Sequence, residues 1–365
     1  MFEGCTGLTE LSLMPATVNK EAFKGCTGVK NAYLYPYVAG TAFSRFYANV
    51  FEGWTAEQTI YIMTMTRDEF IAMLAKNTLS GKATFDEVFA GCNAKIYFKD
   101  EIVKMTTVNV GTLNSTLANG FLAGMTAEQT INIMGHSYTD IYNELETGMF
   151  TNCLAKIYDK NGNLLTYDAT KKTVTVTNKS NEVIAVYYYG EATADALTAL
   201  GLSSHAKLEF AYLANVGFAD IATLQGDATE FAAFKGVKAV IYDKDGVEVT
   251  FDTATGLIKT VTVQADYVEI KENNDGGFAI AIGKTYGLNI TAMDFTKLKA
   301  GVTLTIKGVT YVDMLDMEDK LADKFAGCKA TIYDGDGNKI VIDEDGKIEQ
   351  VYAPGNDTTP IYPEA

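Results

Sequence analysis

One position recurs along this chain more regularly than any other, the third residue after a phenylalanine. It holds Cys5 after Phe2, Cys26 after Phe23, Cys92 after Phe89, Cys153 after Phe150 and Cys328 after Phe325. Trp54 after Phe51 and Val237 after Phe234 fill the same slot. A slot that takes Cys, Trp or Val is an apolar packing position, where a free thiol behaves as a small hydrophobe. A disulfide or a metal site is the alternative. Five cysteines are an odd number, no CxxC pair occurs, and only His136 and His205 could assist. Buried thiols are the expectation, since free Cys is among the most buried residue types.

Sequence around the slot repeats as well. TAEQTIYIM at 55–63 returns as TAEQTINIM at 126–134. After the slot come GCNAKIYFKD (91–100), NCLAKIYDKNGN (152–163), GVKAVIYDKDGV (236–247) and GCKATIYDGDGN (327–338). Each alternates apolar and polar residues, and the last three reach a Gly-bearing turn, as a strand entering a hairpin does. Return strands are expected at 164–168, 247–252 and 339–343, with extra strands within 171–190 and 258–283. Helix-like stretches lie at 66–77, 137–153, 218–234 and 310–328, each opening near a Thr, Ser or Asp with acidic residues following. Tyr138, Ile141, Tyr142, Leu145 and Met149 share one helical face. Shorter helices are expected at 112–124, 193–201 and 290–301, each closing at glycine.

The expected fold is a mixed α/β (α+β) repeat. A short leucine-rich segment at 1–43 precedes four degenerate helix–strand–helix–strand–hairpin units in an elongated array, at 44–111, 112–190, 191–288 and 289–351. A Pro-rich tail follows at 352–365. The first residues already read as the middle of a repeat, so the chain is expected to be a piece of a longer protein.

Charge bounds the partners. The chain carries 46 acidic and 30 basic residues, net −16, which disfavours nucleic acid and anionic membranes. No apolar run is long enough to cross a bilayer. The turns Asp159–Asn163, Asp243–Gly246 and Asp334–Asn338 space their oxygens two residues apart, yet the third ligand of a calcium loop is out of register. Hairpin turns explain the same letters. No metal is expected; were calcium to bind, the acidic group Asp334, Asp336, Asp343 and Asp345 is where it belongs. No cofactor is expected either: phosphate loops, dinucleotide fingerprints and nucleophile elbows are missing from the sequence. His136 and His205 have no placed nucleophile beside them, and the acidic pairs Glu144/Glu146 and Glu318/Asp319 are ordinary in so acidic a chain. Tyr33, Tyr35, Tyr37, Tyr187, Tyr188 and Tyr189 cluster in strand-like or loop stretches. They suit either partner contacts or packing within a sheet.

Two segments resemble a known family. MFEGCTGLTELSLMPATVNKEAFKGCTGVKNAYL (1–34) is similar to the BspA-type leucine-rich repeats of bacterial surface proteins. FEGWTAEQTIYI (51–62), followed by FAGCNAKIYFKD (89–100), resembles the closing repeat of such arrays. The likeness covers about residues 1–100, with weaker echoes to 345. It implies a cell-surface or extracellular protein used for adhesion or protein binding, without catalysis. The expected function is thus a non-enzymatic secreted or surface binding protein with a protein or surface-glycan partner. Self-association into an extracellular filament or layer is the alternative, and a polysaccharide-acting enzyme ranks third.

Overall fold

The structure is a computed structural model that describes residues 2–79, 82–110, 122–141, 150–264, 269–272, 278–281 and 289–363. The chain divides into two compact units, residues 1–167 with 176–180, and residues 168–175 with 181–365. The expected mixed α/β (α+β) array of alternating helices and strands does not form. Strands dominate in both units, in mixed parallel and antiparallel pairing, and helix amounts to 18%.

In the first unit the strands Glu10–Leu13, Asn31–Leu34, Thr59–Ile62 and Lys95–Phe98 form a parallel four-stranded sheet in strict register. Register places Leu11, Ala32, Ile60 and Ile96 in one row and Leu13, Leu34, Ile62 and Phe98 in the next, and both rows pack into one core. Strands in a sheet lie about 4.8 Å apart, so equivalent side chains must stack. Phe2, Phe23, Phe51 and Phe89 do so, with centroids 5.7, 5.9 and 5.6 Å apart and nearly parallel rings.

Further along the first unit, Thr107–Val110, Thr130–Ile133 and Lys156–Tyr158 run parallel, and Leu164–Asp168 returns antiparallel to the last. The second unit repeats this scheme. Val183–Tyr188, Phe210–Leu213 and Val240–Tyr242 are parallel, and Glu248–Phe251 and Ile258–Gln264 follow antiparallel. Thr303–Lys307 and Thr331–Tyr333 then run parallel to 258–264, and Lys339–Ile342 and Ile348–Tyr352 return. The segments 258–264 and 348–352, which the sequence marks only as extras or boundary, are structural joints of the sheet. The Pro-rich tail is an edge strand, Pro360–Tyr362 against Ile348–Tyr352, a place where proline's missing N–H costs nothing.

The helices are shorter than the sequence promises. Arg67–Ala75 matches, closed by a capping box between Thr66 and Glu69. The stretch 218–234 is helical only over Phe218–Gln225 before a single 3-10 turn at Ala232–Phe234. The stretch 310–328 breaks at Met317 into Tyr311–Asp316 and Glu318–Phe325. At 290–301 only a 3-10 turn, Ile290–Ala292, forms, and at 193–201 the helix is Ala194–Ala199. Of 137–153, Tyr138–Ile141 is helical; Tyr142, Leu145, Glu144, Glu146 and Met149 lie outside the described residues, as does most of 112–124. Of these helices, Glu318–Phe325 runs into its phenylalanine slot, while Arg67–Ala75 and Phe218–Gln225 stop earlier, at Lys76 and Gly226. No described helix is long and apolar enough to cross a membrane.

Candidate functional site

The slot itself is structural. In all seven copies the slot N–H donates to the carbonyl of its phenylalanine at 2.8–3.2 Å, closing a four-residue turn. The residue before the slot is left-handed each time: Gly4, Gly25, Gly53, Gly91, Gly236 and Gly327 at φ of 67–84°, and Asn152 at 53°. Asn is the non-glycine residue that tolerates this region, which accounts for its place before Cys153. Cys26, Trp54 and Val237 are buried, and Cys5, Cys92, Cys153 and Cys328 are half-buried. All five thiols are free, and burial pushes those of Cys26, Cys92, Cys153 and Cys328 up, away from the thiolate. Two further copies lack the phenylalanine and so escape the motif: Met125 donates to Leu122 past Gly124, and Val302 donates to Lys299 past Gly301.

The duplicated TAEQTI is a clamp. Gln58 accepts from Thr55 N at 2.9 Å and donates through Nε2 to the carbonyls of Cys26 (3.1 Å) and Val29 (2.7 Å). Gln129 accepts from Thr126 N and donates to the carbonyls of Val103 and Met105. Each buried amide ties one layer's turn to the layer before it.

The hairpin aspartates are also accounted for. Asp159 accepts from Tyr138 N, Asn161 N, Asn163 N and Asn163 Nδ2. Asp334 accepts from Tyr311 N, Asp336 N, Asn338 N and Asn338 Nδ2, all at 2.7–3.0 Å. Asp243 accepts from Phe218 N, Asp245 N and Val247 N. Each carboxylate thus joins a helix start to a hairpin turn. Asp343 accepts from Asp345 N and Lys347 N and builds a further turn of the same form. Four N–H donors are aimed at the Asp334 carboxylate and two at Asp343 Oδ1, so within the group Asp334, Asp336, Asp343 and Asp345 these two side chains serve as turn-formers. His136 and His205 are half-buried, and the imidazolium of His205 is disfavoured by burial first and then by Lys171.

A surface does emerge from the tyrosines, though not from the expected set. Tyr33, Tyr35 and Tyr187 are buried, at 2%, 0% and 0% exposure, and cannot serve as partner contacts. Tyr188 is buried with them, its hydroxyl donating to Glu191 O, while Tyr37 and Tyr189 are half-buried. In the first unit Ser12, Tyr33, Tyr61 and Tyr97 occupy one register row, on the sheet face opposite the core. Tyr33 stacks on Tyr61 at 5.2 Å and 9°, and Tyr61 on Tyr97 at 5.8 Å and 23°. Burial raises the hydroxyl pKa of Tyr33 and Tyr61, so both remain neutral donors at physiological pH. Tyr61 and Tyr97 are half-exposed, and the row Glu10, Asn31, Thr59 and Lys95 lies beside them on the same face. Tyr61 and Tyr97 sit inside the strand motifs TIYIM and KIYF, each the same two places past the start of its strand as Tyr33; that shared spacing is the signal that could have found them.

Comparison with protein-family models, with curated proteins and with solved structures finds no match for this chain.

Proposed function

We propose that this chain is a non-enzymatic binding protein of the bacterial surface type, which holds a protein partner on the outward face of its first parallel sheet. The half-exposed pair Tyr61 and Tyr97, stacked in one row with the buried Tyr33 bracing its end, carries the proposal. Tyrosine gives a large amphipathic contact at low rotamer cost, and here backbone register and ring stacking fix the rotamers before any partner arrives. The likeness of residues 1–100 to BspA-type leucine-rich repeats supports the same role and an extracellular setting. The buried aspartates support a binding role over catalysis, because their oxygens are engaged by backbone donors that hold the fold together.

The test is a binding screen of the full chain against a panel of extracellular-matrix proteins by biolayer interferometry. A member of the panel should bind, and Tyr61→Ala with Tyr97→Ala should weaken it by about 30-fold or more, as loss of a central aromatic anchor does. Circular dichroism must show the variant folded. Equal binding by native and variant protein, or no binding across the panel, would overturn the assignment.

A further inference from the structure

On the second unit a groove of about 860 Å³ opens between the turn at 170–172, the chain at 188–191 and the helix Ala194–Ala199. That volume lies within the roughly 300–1,000 Å³ typical of small-ligand sites. Tyr188, Ala196 and Leu200 are among the residues that line it. The walls are fixed by hydrogen bonds. Asp168 Oδ1 accepts from Thr170 N at 2.9 Å and Lys171 N at 3.0 Å. Lys172 holds a φ of 55°, and its carbonyl accepts from Tyr189 N at 2.8 Å. Opposite, Tyr188 Oη donates to Glu191 O at 2.9 Å, and Asn215 Nδ2 donates to Tyr189 O at 2.7 Å. Gly190 lies so close under the Tyr188 ring that a Cβ there would sit 2.2 Å from the hydroxyl, so the ring position requires glycine.

Charge narrows the occupant. The chain is net −16, yet the lining of this groove holds the neighbouring pair Lys171 and Lys172 against one lining acid, Glu191, with Asp168 beside Lys171 and its Oδ1 engaged by two backbone N–H groups. An anion meets less repulsion here than over most of so acidic a surface. A peptide bound as an added strand would need a free strand edge, and Val183–Tyr188 has hydrogen-bonded neighbours on both sides. A sugar needs none: its C–H faces pack on tyrosine rings and its hydroxyls bond to groups such as Thr170, Thr193 and Asn215, all on the groove wall. We propose that the groove binds a short acidic oligosaccharide of the uronate class, with Lys171 and Lys172 on its carboxylates.

Titration calorimetry of the full chain with tetragalacturonate, cellotetraose and hexaglutamate tests this. Tetragalacturonate should bind, less tightly as salt rises, and both other probes should bind at least about tenfold more weakly. Lys171→Ala combined with Lys172→Asn removes the charge and keeps a residue that tolerates left-handed backbone at 172. That variant should lose about tenfold in tetragalacturonate affinity with an unchanged circular dichroism spectrum. Tyr61→Ala with Tyr97→Ala should leave the affinity untouched, which keeps the groove distinct from the tyrosine face. The proposal is overturned by no binding of tetragalacturonate, by equal binding of hexaglutamate, or by a lysine variant that binds like the native chain.

Discussion

Asp243 shows how one side chain changes the chemistry of a repeated position. Asn163 and Asn338 each donate a side-chain N–H to their aspartate at 2.9 Å, and the equivalent residue, Val247, has nothing to donate. Burial, with Asp245 adding repulsion, pushes the Asp243 carboxyl up to about 6. The folded value is above the unfolded value of about 3.9. Stability from holding that proton is therefore complete below about pH 4 and is lost as pH rises through about 6. Val247→Asn gives the ionised form a fourth donor and lowers the folded pKa. Relative to the native chain, its unfolding free energy should rise by about 1–2 kcal/mol between pH 4 and pH 7. Urea unfolding at the two pH values measures this; the same pH dependence in both proteins would refute the mechanism. The sequence shows the Asp–x–x–Gly turns plainly, but not that Phe218 and Tyr311 would bring helix starts onto them.

At the scale of elements, the strands were legible, as was the helix Arg67–Ala75, but the lengths of most other helices were not. TIYI and TINI alternate cleanly and form strands at 59–62 and 130–133. The stretch 310–328 carries helical spacing throughout and still breaks at Met317, whose φ of −108° and ψ of 9° leave the helical region. Gln58 was legible as a repeated letter but not as a clamp, since its acceptors Cys26 and Val29 lie about thirty residues back, in the previous layer. Gln58→Ala should leave those two carbonyls without their donor and cost about 2–4 kcal/mol. Trp54, the single tryptophan, is buried four residues away, and its fluorescence reports the urea transition. An unchanged midpoint would mean that the backbone ladder holds the layers without the clamp.

For the whole molecule, charge and ion pairs pull in different directions. The described pairs, such as Lys24–Glu52 at 3.1 Å and Lys339–Asp357 at 3.1 Å, are solvent-exposed on both sides and contribute little. Sixteen excess negative charges repel one another in the folded state. Raising salt from a few millimolar to physiological strength should therefore raise the melting temperature, and a fall would show that the ion pairs outweigh the repulsion. The sequence alone determined the layers: a phenylalanine slot, a left-handed glycine and an alternating strand recur, and these are local preferences of a few residues. Tertiary structure alone decided which of those strands pair parallel and which antiparallel, that Tyr33 is buried while Tyr61 and Tyr97 are half-exposed, and that Lys171 lines a groove beside Tyr188. Those outcomes depend on which residues, distant in the chain, come to share a register row or a wall, and no local pattern encodes that.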